Sequence, residues 1–160
     1  MLTQEQANSL FHYSDGELIR ISVISNKTKI GDVAGNVGKR GYKYLTIYFK
    51  KYYVHRVIWL MHYGFLPKYI DHIDGNPLNN RIENLRPCTA SENLCNAKTR
   101  KNNVSGTKGV SWFKPKQKWR ARVSFNKKEY HIGYFDSQKA AEVAVTLARK
   151  NIHQKFARNA

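Results

Sequence analysis

Acidic residues are scarce in this chain: 11 Asp and Glu stand against 28 Lys and Arg in 160 residues, a formal charge of +17. That imbalance points to a polyanionic partner. Cysteine is nearly absent. Cys88 and Cys95 form neither a Cys-x-x-Cys pair nor a disulfide framework, so both read as reduced thiols, and a four-ligand structural zinc is not expected. No apolar run approaches the roughly 18–20 residues that cross a bilayer, and MLTQEQANSL has none of the apolar core of a secretory signal. A soluble, cytoplasmic protein with no membrane partner is the expectation. What is present suffices for a core: 41% hydrophobic residues, with 3 Trp, 10 Tyr and 7 Phe, exclude wholesale disorder. The length allows one domain or two small ones.

The positive charge is unevenly spread. Seven cationic residues face four acidic ones in each of the segments 1–50 and 51–100, whereas fourteen face three in 101–160. Nucleic acid is the abundant intracellular polyanion, and binding that neutralises its phosphates is salt-dependent. A membrane surface fits less well, because the basic segment contains no amphipathic helix with a bulky apolar face.

Thr3-x-x-Gln6 has the form of a capping box and predicts a short opening helix. Short β-branched and aromatic runs follow, at Leu18 to Val23 and Tyr44 to Phe49, separated by Gly31, Gly35, Gly38 and Gly41. Val54, Val57, Ile58 and Met61 recur at helical spacing, ended by Gly64 and Pro67. Tyr69 to Ile73 reads as a strand, Asp74-Gly75-Asn76 as a turn and Ile82 to Leu85 as a returning strand stopped by Pro87. Thr89-Ala90-Ser91-Glu92 then opens a helix with Asn93 in its first turn. Residues 101–108 have no periodicity and read as a linker. In Lys118 to Phe125 odd positions are apolar and even ones polar or basic, which gives a strand with one packed and one cationic face. Residues 109–114 and 129–135 flank it, and Ser137 caps a helix whose stripe is Ala140, Ala144, Leu147 and Ala148. The fold class is therefore α+β, with a strand-rich extension over 1–53, a core over 54–100, the linker, and a sheet-plus-helix module over 109–160.

One constellation suggests chemistry: Asp71 and His72 adjacent, Asn84 twelve residues after the histidine, and Asn93 nine further on. Phosphodiester hydrolysis needs a base for water and a divalent cation to offset charge on the phosphoryl oxygens. A histidine titrates near neutrality, and oxygen donors from Asp71 and Asn93 suit a hard cation. The same Asp-His pair is also compatible with a surface pair at a turn. Neighbouring strand residues point to opposite faces, so the two can serve one site only if the strand bends or ends there.

Residues 54–100 resemble the HNH endonuclease family through Val54-His55-Arg56, Asp71 to Asn76, Asn80 to Arg86, and Ser91-Glu92-Asn93. The resemblance implies a ββα-metal fold in which His72 is the general base, Asp71 and Asn93 bind the metal, and Asn84 hydrogen-bonds across the loop to hold the site in shape. Asn93 stands where the strict motif has a second histidine. A neutral amide suits Mg²⁺, or Mn²⁺, better than zinc. His55 and Arg56 read equally as phosphate contacts or as a solvated helix face, and Arg86 as a phosphate contact or an ion-pair partner. His12, His62 and His153 have no evident partners.

Residues 109–148 separately resemble the AP2 DNA-binding domain, through Gly109-Val110, Lys118-Trp119-Arg120-Ala121, and His131 to Asp136 followed by Ala140-Ala141. That resemblance implies a three-stranded sheet lying in the major groove of double-stranded DNA. The matching exposed positions are Ser111, Phe113, Lys118, Arg120, Arg122, Ser124 and His131, while Trp112 and Trp119 are expected in the core. The combined order resembles phage and mobile-element homing endonucleases and implies a Mg²⁺-dependent DNA endonuclease; with one metal site, a monomer that cuts one strand per binding event is the simplest expectation. A non-catalytic DNA-binding regulator and an RNA-binding protein are the rival readings.

Overall fold

The computed structural model describes residues 2–23, 25, 28–96, 99 and 103–153. The architecture is α+β, and the chain divides into two units, Met1–Cys88 and Thr89–Ala160.

In the first unit, Thr3 caps α1 (Gln4–Leu10) through the expected reciprocal pair: Gln6 N donates to Thr3 Oγ1 at 3.2 Å, and Thr3 N to Gln6 Oε1 at 3.1 Å. The hairpin of β1 (Phe11–Ser14) and β2 (Glu17–Arg20) follows. A second sheet runs β3 (Asn36–Val37), β4 (Lys43–Ile47) and β5 (Lys50–Tyr53). The sequence reads Tyr44 to Phe49 as one run because no glycine or asparagine interrupts it. Instead the chain reverses at Tyr48 and Phe49, with Ile47 paired to Lys50.

Helix α2 (Val54–Tyr63) ends at Gly64, whose φ of 74° is the left-handed cap conformation and whose N–H donates to Leu60 O at 2.9 Å. Val54, Val57, Ile58 and Leu60 pack with Phe11, Leu18, Ile47 and Leu85 into one core. A two-stranded sheet of β6 (Tyr69–His72) and β7 (Leu85–Cys88) completes the unit. Here the expected boundaries shift. Ile82–Asn84 form a 3₁₀ turn rather than strand, and Pro87 lies inside β7, opposite Ile70. A two-stranded ladder consists of edge strands, and an edge tolerates a proline at a position whose N–H the partner does not need.

In the second unit, Thr89 and Glu92 cap α3 (Ala90–Asn96): Thr89 N donates to Glu92 Oε2 at 2.7 Å and Glu92 N to Thr89 Oγ1 at 3.2 Å. Strands β8 (Val110–Phe113), β9 (Lys118–Phe125) and β10 (Lys128–Phe135) form an antiparallel sheet with β9 central, backed by α4 (Gln138–His153). Gly109, at φ 85°, lies so close to β9 that a Cβ would sit 2.2 Å from Arg122 O. No larger residue fits there.

The core of this unit is Val110, Ala121, Val123, Ala141 and Val145. The buried row of α4 is Ala141, Val145, Arg149 and His153, not the stripe through Ala140 and Leu147, both of which are exposed. An apolar scan misses that phase because half of the row is polar. Ser137 does cap the helix, its Oγ accepting from Ala140 N at 3.2 Å. Trp119 packs on the core, but Trp112, on edge strand β8, is 47% exposed. Residues 101 and 102 of the expected linker lie outside the described residues, as do 154–160 of the C-terminal module. Within 103–108, Ser105 is buried and its Oγ donates to Val110 O at 2.8 Å.

Candidate active site and cationic sheet face

Strand β6 ends at His72, where Gly75 N donates to His72 O at 2.8 Å and closes the Asp74-Gly75 turn. Asp71 and His72 are both buried, at 5% and 4% exposure. Each has its own neighbours. Asp71 faces its ladder partner Arg86, whose Nε and Nη2 donate to Asp71 Oδ2 at 3.0 and 2.8 Å. This ion pair offsets the cost of burying the carboxylate, and it settles Arg86 as an ion-pair partner.

His72 Nε2 lies 3.0 Å from Asn80 Oδ1, itself buried. The imidazole is walled by His55, with ring centroids 5.0 Å apart, and by Tyr42 at 5.9 Å.

Asn84 bridges the loop between β6 and β7. Its Nδ2 donates to Asp74 Oδ1 at 3.0 Å and to Asn79 O at 2.8 Å, while its Oδ1 accepts from Asp74 N at 3.1 Å. Desolvation opposes the charge on Asp74, but hydrogen bonds from Asn76, Asn79 and Asn84 outweigh it and hold the carboxyl below its usual value. Asn93 lies on the exposed side of α3, in the second unit.

Sequence reasoning missed the burial of His55. The helical stripe of Val54, Val57, Ile58 and Met61 leaves it outside, yet Trp59 and Leu60 are buried too and widen the covered arc of α2. Burial first, then the nearby His72 and Arg56 charges, push the pKa of His55 down to about 3, so it is a neutral wall of the site at physiological pH. Its Nδ1 is buried without a hydrogen-bond partner. Arg56 turns to the carbonyls of Pro67 and Lys68, at 3.1 and 3.4 Å. His62 donates through Nδ1 to Ile58 O at 2.8 Å, and His153 Nε2 donates to Ser124 O at 3.2 Å.

Among the described residues no three His, Cys, Asp or Glu side chains cluster as a metal site. A carboxylate and an amide, the donors named in the sequence, supply hard oxygens and no thiolate, which suits Mg²⁺ chemically.

In the second unit, register puts the seven named sheet residues on the face turned away from α4. Ser111 pairs with Arg120, Phe113 with Lys118, and His131 with Arg122, while Ser124 follows in alternation. Arg120 stacks over Phe113, its guanidinium carbon 5.0 Å from the ring centroid. Two further residues belong to this face. Tyr134 lies opposite Arg120, with the Lys116 ammonium 4.2 Å above its ring, and Glu129 takes a 2.8 Å bond from Arg122. An acidic partner on the cationic face was not foreseen.

Residues 52–95, which run from β5 to α3, match the family model described as HNH endonuclease. Protein 3.8 of Escherichia phage T7 is 43% identical over 108 residues, covering 65% of this chain and 87% of that protein. The chain belongs to the family of T7 Protein 3.8 and carries an HNH endonuclease domain. His72, Asn80 and Asn84 all fall within that HNH domain, as do Asp71 and Asn93. No solved structure matches the chain significantly. No helix among the described residues is long and apolar enough to cross a membrane.

Proposed function

We propose that the protein is a metal-dependent endonuclease that hydrolyses phosphodiester bonds of double-stranded DNA, with His72 as general base. The observation that carries this reading is the imidazole itself. It is buried inside the HNH domain, 3.0 Å from Asn80 Oδ1 through Nε2 and beside the His55 ring, so the ring is held in one orientation within the family's nuclease segment, which is what a general base needs. Asn84 is a positioning residue: its three hydrogen bonds hold the loop that follows His72. Asp71 and Asn93 would hold a divalent cation, Mg²⁺ on the chemistry of the donors, and that ion when bound offsets charge on the phosphoryl and leaving oxygens. The succession β6, β7, α3 is the strand–strand–helix order of ββα-metal nucleases.

The second unit supplies site affinity in this reading. Ser111, Phe113, Lys118, Arg120, Arg122, Ser124 and His131 form an AP2-like DNA face, with the lysine on phosphates and the arginines able to read guanine edges. A monomer of homing type that nicks one strand per binding event is the simplest form of the proposal. Supercoiled plasmid incubated with the protein and Mg²⁺ tests it. Nicked or linear product that EDTA abolishes supports the enzyme. Intact plasmid and intact phage genomic DNA under binding conditions would favour the rival regulator.

A further inference from the structure

The β3–β5 sheet has no part in the chemistry above, yet its composition is unusual. Residues 36–53 contain five cationic side chains, Lys39, Arg40, Lys43, Lys50 and Lys51, six aromatic ones and no acidic residue. Lys43 is paired with Glu17, whereas Lys39, Arg40, Lys50 and Lys51 are exposed and have no ion-pair partner among the described residues. Lys39, Arg40, Tyr42, Tyr44, Lys51 and Tyr53 line a groove of about 410 Å³. One of its lining residues, Tyr42, has its ring centroid 5.9 Å from that of His72.

The tip of the β4–β5 hairpin departs from ordinary turn chemistry. A two-residue hairpin with positive φ at both central positions favours Asn-Gly. Here the positions hold Tyr48, at φ 46°, and Phe49, at φ 65°, two bulky residues in strained backbone. Neither is compensated by burial, since Tyr48 is 62% exposed and Phe49 fully exposed. The fold thus gives up stability to project an aromatic ring into solvent between lysine-bearing strands. Four exposed, unpaired cations and no acidic residue in this segment favour a nucleic-acid duplex over an apolar protein surface as the partner.

We propose that this hairpin is a second DNA-contact element, in which Phe49 inserts between base steps as a wedge while Lys50 and Lys51 hold the phosphates on either side. It rests on the nuclease reading for its place beside the scissile bond but not for its test. Inserting a wedge unwinds the duplex, so relaxed closed-circular plasmid is incubated with the full chain in EDTA, treated with a type IB topoisomerase and deproteinised. The wild-type protein is expected to leave the plasmid with a shifted linking number. Phe49→Ala removes at least half of that shift at equal occupancy and weakens plasmid binding about tenfold, whereas Phe49→Trp retains both. Tyr48→Asn/Phe49→Gly supplies the residues the turn favours, and is expected to raise Tm while losing the shift, which separates the wedge from any role in folding. A wild-type protein that binds plasmid without changing its linking number overturns the proposal, as does a Phe49→Ala protein with unchanged shift and affinity. Loss of binding to anionic phospholipid vesicles in Phe49→Ala, with plasmid binding intact, overturns it in favour of a lipid surface. Failure of the wild type to nick DNA with Mg²⁺ would remove the nuclease reading and leave the unwinding result standing.

Discussion

His55 offers a sharp test of how the site is built. The ring is 7% exposed, and burial with the neighbouring His72 and Arg56 lowers its pKa from 6.5 to about 3. In the unfolded chain it titrates near its ordinary value, so between those two values the unfolded state binds the extra proton and stability falls as pH falls. The stabilisation is fully present above about pH 6.5 and is lost progressively toward pH 3. At pH 5 the unfolded ring is almost wholly protonated and the folded one neutral, a difference worth about 2 kcal/mol at 1.36 kcal/mol per tenfold change in proton activity. Replacing His55 by Phe removes the titrating group and the orphaned Nδ1 while keeping a ring in the wall. The assay is urea unfolding at pH 7 and pH 5, read by pulsed hydrogen exchange over α2 so that only the first unit is scored. Wild type should lose about 2 kcal/mol more than His55→Phe between the two conditions. Equal losses in the two proteins would refute the assignment of a buried neutral His55.

Two further outcomes follow from particular hydrogen bonds and register positions. Asn84→Ala removes the side-chain partner of Asp74 N and Asn79 O and one of the two bonds to Asp74 Oδ1, which keeps Asn76 N, and should cost about 1–3 kcal/mol in urea unfolding of the first unit. If Asn84 positions the loop behind His72, the nicking rate falls as well while gel-shift affinity is retained. Arg120→Ala on the cationic sheet face should lower the slope of log affinity against log salt by about 0.9 if its guanidinium meets a phosphate, with stability nearly unchanged. An unaltered slope together with a changed sequence preference would assign Arg120 to base edges instead.

Much of the architecture was legible because it depends on short-range rules. The capping pairs at Thr3 and Thr89, the glycine stop of α2 and the alternation in Lys118 to Phe125 each state a local geometry, and the chain obeys them. The errors arose where tertiary context overrode local pattern. Pro87 enters a strand because that strand is an edge, and the β4–β5 turn is invisible because Tyr48-Phe49 carries no turn residue. The buried row of α4 was misphased because Arg149 and His153 belong to it.

The site shows the same division. Residue types at fixed spacing single out Asp71, His72, Asn84 and Asn93 as candidates, but no spacing rule discloses which side chains they meet. Arg86 on Asp71, Asn80 on His72 and His55 as a wall come from strand register and helix packing. Periodicity also put the sheet residues on one face, yet could not reveal that Glu129 would take one of its arginines.

The most direct measurement is the single-turnover rate of plasmid nicking in Mg²⁺ by wild type and by His72→Ala, with DNA affinity measured in parallel. Loss of a general base predicts a fall of about 10²–10⁴ in rate with affinity within about twofold. A His72→Ala protein that nicks as fast as wild type would contradict the role assigned to this imidazole.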